Sequence, residues 1–401
     1  MGWATAVKQI GPSVVRRSAL QRQTSFTSPD KVVPSLTTFS FADLVALLHG
    51  IPRRITGASN AANFLYGQLP ADNATVIIAG GNSAYNFLLG YAADLEGTLQ
   101  GRDDILVGGM HSSNILIGDA LLMKDHAIGG SDILVGGAYS SNLLTGDAVT
   151  MVGYCQGGSD LLVGGDHSSN FLRGDASAMA DWARGGNDRL LGGVNSYNEM
   201  TGDAETMSGH AVGGNDWLAG GYFSTNILRG DAQLLSGDAC GGADTLVGGF
   251  NSFNRLVGDA DRVENRAVAG NDQLTGGANS TNFMYGDALV LADARGGDNV
   301  LIAGAGSTDF MWGGAASVDA TVALGHNTFV FAATAGHDTI EDFHHGLDVI
   351  DLTGFASAGV HHFADLLLAH SGGATVLTFA SGTMINVAGM VAVEASDFHF
   401  A

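Results

Sequence analysis

The chain has 401 residues, an apolar fraction of 45% and a formal net charge of −23. That apolar fraction excludes wholesale disorder, and 60 glycines beside 5 prolines without a Gly-X-Y period exclude collagen. Seven of the 17 Lys and Arg residues lie before residue 55, and none follows Arg295. The rest of the chain is therefore strongly acidic, which argues against nucleic acid as a partner and favours cations.

The amino-terminal residues 1–54 are predicted to form a basic arm that ends in a short helix. The segment SFADLVALLHG places Ser40 as N-cap and Gly50 just past the end, and Pro52 prevents continuation. Its apolar positions at i, i+3, i+4 and i+7 are Phe41, Leu44, Val45 and Leu48. We expect no cleavable signal peptide, because charges interrupt the amino terminus, and no transmembrane span, because no apolar run reaches 18 residues.

One stretch, GGNDWLAGGYFSTNILRGDAQLLSGDAC at residues 213–240, recurs along the chain with a period of 28 residues. A leucine two residues after its first Asp keeps step at Leu106, Leu134, Leu162, Leu190, Leu218, Leu246 and Leu274. A second apolar position recurs at Leu116, Leu144, Leu172, Met200, Leu228, Leu256 and Met284. A strict period between 20 and 50 residues indicates a solenoid, in which each coil buries its apolar face against its neighbours.

Each 28-residue coil divides into three sides. The segments D-x-L-x-G-G and N-x-L-x-G-D-A are predicted to be short strands with Leu or Met pointing inward, and successive coils would pair them into parallel sheets. The third side carries small and apolar residues at offsets of zero, three and seven, as in Ala204, Met207 and Ala211. This spacing fits a helical turn after Asp203 or an irregular third strand, and we favour the strand.

The predicted fold is therefore all-β, a right-handed parallel β-solenoid over residues 55–312. The amino-terminal helix is predicted to cap one end, since an open solenoid end needs a cover. Residues 313–401 change character and alternate in strand fashion. They are predicted to form a β-rich carboxyl-terminal cap.

The repeat resembles the RTX (repeats-in-toxin) family, whose glycine-rich turns read G-G-x-G-x-D-x-U-x. The stretch GGNDWLAGG, residues 213–221, places Gly214, Asp216, Leu218, Gly220 and Gly221 in register with that pattern. The segments AGHDTIEDFHHGLDVIDLTGF and SDFHFA are similar to the carboxyl-terminal cap and uncleaved signal of RTX proteins. The resemblance covers residues 80–401 and implies a calcium-binding β-roll exported through a type I secretion system.

The sequence departs from the RTX pattern at two places. Ala211 and Val212 stand where the family has two glycines before Asp216. The opposite turn carries serine and asparagine where the family has glycine and aspartate. These residues are Ser112, Ser140, Ser168, Ser196, Ser224, Ser252 and Ser280, with Asn114, Asn142, Asn170, Asn198, Asn226, Asn254 and Asn282. We expect these neutral residues to hydrogen-bond along the stack and to bind no calcium.

Two series of aspartates are the candidate metal ligands. The GGxD aspartates are Asp104, Asp132, Asp160, Asp188, Asp216, Asp244 and Asp272, and the GDA aspartates are Asp119, Asp147, Asp175, Asp203, Asp231, Asp259 and Asp287. Stacked carboxylates about 4.8 Å apart repel by roughly 1 kcal/mol per neighbour in water and more at lower dielectric. Ca²⁺ would compensate, since it takes carboxylate and carbonyl oxygens, whereas a GDA aspartate could instead only cap a turn.

No motif for catalysis emerges, because G-x-S-x-G, H-E-x-x-H and a P-loop are all absent from the sequence. We therefore expect a non-enzymatic, calcium-binding structural or adhesive protein of the bacterial surface or matrix, exported to the extracellular space. Its expected partners are calcium ions and the type I secretion machinery. Two alternatives remain open: a self-assembling lattice or filament subunit, and a β-helix protein that binds or modifies polysaccharide.

Overall fold

The computed structural model describes residues 53–67 and 75–401, so the predicted capping helix lies outside the described residues. Within this part of the chain the secondary structure is almost entirely β, arranged in three sheets that follow the solenoid axis. The prediction of an all-β parallel β-solenoid is confirmed, and it has about nine turns. No helix in the described ranges is long and apolar enough to cross a membrane.

The first sheet contains the D-x-L-x-G-G strands, and 13 of its strands lie in the described residues. They are Arg53–Thr56, Val76–Ala79, Ile105–Val107, Ile133–Val135, Leu161–Val163, Arg189–Leu191, Trp217–Ala219, Thr245–Val247, Gln273–Thr275, Val300–Ile302, Thr328–Ala332, Val349–Gly354 and Phe398–His399. Every pairing in it is parallel, for example Leu161↔Arg189.

The second sheet contains the N-x-L-x-G strands, 14 in the part of the chain that is described. They are Ala62–Tyr66, Tyr85–Leu89, Ser113–Ile117, Ser141–Thr145, Ser169–Arg173, Tyr197–Thr201, Thr225–Arg229, Phe253–Val257, Thr281–Tyr285, Thr308–Trp312, His337–Ile340, Met384–Val387, Ala374–Thr378 and Leu367–Ser371. Equivalent residues of successive coils pair directly, as Asn142↔Asn170 shows. The 28-residue period therefore fixes the register.

The third sheet shows that the third side of each coil is also a strand. Its 9 described strands are Ala92–Leu95, Ala120–Met123, Ala148–Met151, Ala176–Met179, Ala204–Met207, Ala232–Ser236, Ala260–Glu264, Ala288–Ala292 and Ala315–Val318. The alternative of a helical turn is wrong. The helix-like spacing arises because Val149 is left out of the pairing, so that Ala148 and Met151 both point inward.

The interior of the coil holds two separate apolar columns. Leucines of the first and second sheets, such as Leu134 and Leu144, form the larger column and are fully buried. Alanine and methionine of the third side, such as Ala148 and Met151, form the smaller column. Between these columns lie the chain segments that carry the two aspartate series.

The carboxyl-terminal residues close the far end of the solenoid. An antiparallel hairpin, Leu367–Ser371 with Ala374–Thr378, joins the second sheet, and Phe398–His399 joins the first. Short 3-10 helices occupy Ala356–Ala358, Phe363–Asp365 and Ala395–Asp397. Buried phenylalanines, including Phe329, Phe331 and Phe355, fill the core of this cap. The predicted domain limits at 54 and 312 stay predictions, and the third sheet continues to Val318.

Candidate functional site: two buried aspartate columns

The structure brings the two aspartate series together in the interior of the solenoid. All fourteen side chains are at most 2% exposed. Each GDA aspartate reaches across the coil to the glycine pair of the next side, as when Gly214 donates its N–H to Oδ1 of Asp203 at 2.8 Å. In return Oδ2 of Asp216 lies against Gly202, which directly precedes Asp203. The aspartates thus separate the two apolar columns.

The GGxD aspartates form a continuous hydrogen-bonded column. Oδ1 of each one accepts the main-chain N–H of the GGxD aspartate 28 residues earlier, as between Asp188 and Asp160 at 2.7 Å. The other rungs measure between 2.5 and 2.7 Å and join Asp104–Asp132, Asp132–Asp160, Asp188–Asp216, Asp216–Asp244 and Asp244–Asp272. One carboxylate oxygen of each residue is therefore used to lock adjacent coils in register.

The GDA aspartates cap the glycine turn on the opposite wall of the same coil. Seven equivalent contacts join Gly130–Asp119, Gly158–Asp147, Gly186–Asp175, Gly214–Asp203, Gly242–Asp231, Gly270–Asp259 and Gly297–Asp287. This turn-capping role was one of the two interpretations of the GDA series. It still leaves one carboxylate oxygen of most of these residues unused.

The second carboxylate oxygens have no partner within the described protein. Oδ2 is buried and without a hydrogen bond in eleven of the fourteen aspartates: Asp132, Asp160, Asp188, Asp216, Asp244 and Asp272 in one series and Asp175, Asp203, Asp231, Asp259 and Asp287 in the other. A buried polar atom without a partner costs about 1–3 kcal/mol, and more for a charged group. The repetition of this cost along the stack requires a compensating proton or cation.

The environment opposes the ionised form throughout the columns. Burial, together with the charges of Asp119 and Asp160, raises the pKa of Asp132 well above its ordinary value. Burial likewise raises the pKa of Asp188 and Asp216 well above the usual range. Without a cation, these carboxyl groups therefore hold their protons far more tightly than exposed aspartates do.

Both ends of the GGxD column are closed by groups that relieve this strain. At the amino-terminal end Arg102, 2% exposed, donates to Oδ2 of Asp104 at 3.1 Å, and the pKa of Asp104 rises only to about 6. Arg102 stands where later coils have a glycine such as Gly130. At the other end Asn299 and Asn327 continue the column with neutral amides. The protein supplies its own compensation only at the ends.

The donor set of the columns fits a calcium ion. Unpartnered carboxylate oxygens alternate with main-chain carbonyls of glycine turns, the hard oxygen ligands that Ca²⁺ takes. The backbone beside them is kept free of side chains, since a Cβ on Gly202 would lie 2.1 Å from Oδ2 of Asp216. In the described residues, however, no three His, Cys, Asp or Glu side chains are grouped as a preformed metal site. The fit therefore rests on donor chemistry.

The serine and asparagine turn differs in that it satisfies itself. Nδ2 of Asn198 donates to Oδ1 of Asn226 at 2.8 Å and to the carbonyl of Gly193 at 3.0 Å, while its Oδ1 accepts the N–H of Gly193 at 2.9 Å. The same pattern joins Asn63 through Asn282 without a break. The predicted neutral ladder is confirmed, and its freedom from calcium stays a prediction.

Sequence reasoning missed Arg102, Asn299 and Asn327, which terminate the aspartate column. The signal was available, because each occupies a repeat position that holds glycine or aspartate in the other coils. It also missed a group of paired charges on the outer face of the second and third sheets, around Arg229. Outward residues vary from coil to coil, so the period does not reveal which of them meet.

A family model described as peptidase M10 serralysin C terminal matches residues 70–398. The chain belongs to this family. The serralysin C-terminal region is of the RTX type, so the resemblance drawn from the glycine-rich turns is confirmed. The match is to the repeat region of these proteases and not to their catalytic domain. No curated protein matches the chain. Calcium binding is a general property of this repeat family.

Proposed function

We propose that this chain is a non-enzymatic, extracellular calcium-binding repeat protein with a structural or adhesive role at a bacterial surface or matrix. The observation that carries the proposal is the set of buried, unpartnered Oδ2 atoms along both aspartate columns. Membership of the serralysin C-terminal family supports calcium as the compensating cation. The non-enzymatic role is supported by the match to a repeat region and by the use of the repeated acids in coil-to-coil bonding.

The GGxD and GDA aspartates are the residues that would hold calcium. Bound Ca²⁺ would supply positive charge to oxygens that no protein donor reaches, in the manner that Arg102 supplies it to Asp104. The chain's own contribution is the register: main-chain N–H groups hold one oxygen of each carboxylate and so fix where the other one points. A ligand that binds only the folded solenoid stabilises it by mass action.

Thermal unfolding in calcium and in EDTA tests the proposal. We expect calcium to raise the unfolding midpoint by about 5 °C or more, since saturation at 100 times Kd adds about 2.7 kcal/mol. Magnesium at the same concentration is the control for ionic strength, because it demands a stricter octahedral shell. Identical midpoints in calcium and EDTA, together with no calcium retained on equilibrium dialysis, would refute calcium binding.

Export through a type I system follows from the same family membership and stays a proposal. Low calcium inside the cell would leave the repeats unfolded and competent for export, and outside calcium would drive folding. Expression beside a type I exporter, with and without residues 313–401, tests it by the amount of protein in the medium. Equal export of both chains would remove the assignment of a signal to the carboxyl-terminal region.

A further inference from the structure

The outer faces of the second and third sheets meet along a groove that runs parallel to the solenoid axis. It is lined by the third and fifth residues of each second-sheet strand and the second residue of each third-sheet strand. Although they point away from the core, fifth residues such as Thr145 and Thr201 are 2–3% exposed. Ion pairs such as Arg229–Asp261 join the two sheets directly. The fifth residues therefore form the floor of a concave surface.

This groove is mostly apolar, with a charged segment at its centre. Third-residue positions read Phe64, Phe87, Ile115, Leu143, Phe171, Glu199, Ile227, Arg255, Phe283 and Phe310. Fifth-residue positions read Tyr66, Leu89, Ile117, Thr145, Arg173, Thr201, Arg229, Val257, Tyr285 and Trp312. The third sheet contributes Leu121, Val149, Ser177, Glu205, Gln233, Asp261 and Leu289. All six charged residues in these series fall within four consecutive coils.

The six charged side chains form two connected groups. Arg229 donates to Glu199 at 2.9 Å and pairs with Asp261 at 2.8 Å, and Arg255 donates to Asp261 at 3.2 Å. The Tyr197 hydroxyl donates to the second oxygen of Glu199 at 3.0 Å. The remaining pair is Arg173 with Glu205. Nε of both Arg229 and Arg255 is buried without a hydrogen-bond partner.

Stability alone does not account for these charges. Burying an ion pair costs desolvation that its attraction often fails to repay, and apolar replacements are often neutral or stabilising. The neighbouring coils show that apolar or neutral residues fit the same places: Ile227 and Phe283 flank Arg255, and Thr145 and Thr201 flank Arg173. The charges have therefore been placed where the fold does not require them, which indicates recognition.

We propose that this central segment binds an uncharged oligosaccharide laid along the groove. The segment presents planar donors and acceptors, guanidinium and carboxylate, that can each hold two adjacent hydroxyl groups. Three arginines against three acids make it neutral in charge, within a chain whose net charge of −23 repels acidic polymers. Tyr197 at one end and Phe283 at the other add aromatic surface against which sugar rings can pack.

The dimensions of the segment suit a short sugar chain. From the coil of Arg173 to the coil of Asp261 there are three steps of about 4.8 Å, or roughly 14 Å. The side chains remain accessible, with Glu205 37%, Asp261 27% and Glu199 20% exposed. In the exposed ring column Tyr154–Trp182–His210, by contrast, the rings stack on one another, with centroids 6.0 and 4.0 Å apart. Their faces are therefore less available to sugar.

Binding measurements on the full chain with an array of neutral oligosaccharides, including cellotetraose, maltotetraose, xylotetraose and mannotetraose, test the proposal. Tetragalacturonate serves as the anionic comparison. We expect at least one neutral saccharide to bind, with Glu205→Gln weakening its binding about tenfold or more in calorimetry. A six-site variant that borrows residues of neighbouring coils removes the segment without disturbing the fold: Arg173→Thr, Glu199→Ile, Glu205→Val, Arg229→Thr, Arg255→Phe and Asp261→Leu. It should unfold at or above the wild-type temperature and bind no saccharide.

Asp238→Asn is the matched control, because Asp238 forms an exposed ion pair with Arg266 outside the groove. It should bind saccharide as the wild type does. The proposal is overturned if no neutral saccharide on the array binds, if only tetragalacturonate binds, or if the six-site variant binds as well as the wild type. Loss of binding in Tyr154→Ala with retention in the six-site variant would also overturn it and place the site on the ring column.

Discussion

Asn198 and Asn226, 28 residues apart, are joined by an amide hydrogen bond of 2.8 Å, and neither side chain is measurably exposed. Asn198 uses its amide fully, because it also holds both the N–H and the carbonyl of Gly193 and accepts from Asn170. The same residue therefore closes its own turn and binds the coils on both sides. This makes the asparagine ladder the most completely satisfied polar structure of the solenoid.

Replacing Asn198 with alanine should destabilise the fold by about 2–4 kcal/mol, because it strands the Gly193 turn and two neighbouring amides without partners. Chemical denaturation in EDTA measures the change. Asn215→Ala is the comparison, since Asn215 is exposed and accepts only the N–H of Ala243. We expect it to cost less than about 1 kcal/mol. Equal losses in the two variants would show that the ladder contributes nothing beyond an ordinary surface contact.

Replacing Asp188 with asparagine should have opposite consequences in EDTA and in calcium. The chain makes this substitution itself at Asn299, where the amide still accepts the N–H of Asp272 at 2.8 Å. In EDTA the variant should be more stable than the wild type by about 1–3 kcal/mol, because a buried unpartnered carboxylate oxygen disappears. In calcium that advantage should vanish or reverse, because a ligand is lost. An unchanged difference between the variant and the wild type in the two buffers would count against a metal at this position.

Adding a methyl group at Gly202 should be severely destabilising, by about 3 kcal/mol or more. The new Cβ would lie 1.8 Å from the carbonyl oxygen of Gly230 and 2.1 Å from Oδ2 of Asp216. Gly314 occupies the GDA turn of the last coil of the third sheet, and a Cβ there meets nothing closer than 3.4 Å. Thermal unfolding of Gly202→Ala and Gly314→Ala compares the two sites. Similar midpoints would show that the aspartate column can shift to accept the methyl group.

Asp338 predicts a measurable pH dependence at the carboxyl-terminal end of the asparagine ladder. Burial and the charge of Asp309 raise the pKa of Asp338 to about 8, above the ordinary value of 3.8. Since the folded state holds this proton more tightly than the unfolded state, the associated stability is complete below about pH 4. It is then lost as pH rises through about 8. Asp338→Asn should therefore gain stability over the wild type with rising pH, by about 1–3 kcal/mol at pH 8.

Asp365→Asn provides a control of opposite sign for that measurement. The N–H groups of His361 and His362 lower the pKa of the exposed Asp365. Its contribution to stability is present above the ordinary pKa and is lost as pH falls through the lowered value. Unfolding midpoints of both variants in EDTA, from about pH 3 to pH 9, separate the two trends. A difference that stays flat with pH for Asp338→Asn would mean that its carboxyl group is not protonated in the folded state.

Periodicity carried most of the fold prediction because residues 28 apart occupy the same place in successive coils. Leu134 and Leu162 could be assigned to one buried column on spacing alone, and the structure confirms it. The third side was harder, since Ala148 and Met151 imitate helical spacing and only the pairing with the next coil reveals the strand. A helix and a strand with one residue omitted from the ladder differ in tertiary contacts that a single coil does not contain.

The candidate site could be predicted only in part for a related reason. The fourteen aspartates were identifiable as repeated acids, but nothing in the spacing showed that Asp203 and Asp216, 13 residues apart, meet inside the same coil. That meeting depends on how sharply the turns at Gly202 and Gly213 bend the chain. The groove charges around Arg229 could not be predicted, because a single substitution in an outward series has no repeat to support it.

The hydrogen bonds of the aspartate and asparagine columns always run between equivalent residues of adjacent coils, whereas Arg102 and Asn299 end the aspartate column. Interior coils are therefore interchangeable links, and the two ends are fitted parts. Removing one whole 28-residue unit from the middle, for example 130–157, joins residues that already have the same neighbours and leaves every rung paired. Removing the same number of residues at either end exposes unpaired acids. A solenoid of this kind can change its length by duplication or loss of internal coils while its termini stay constant.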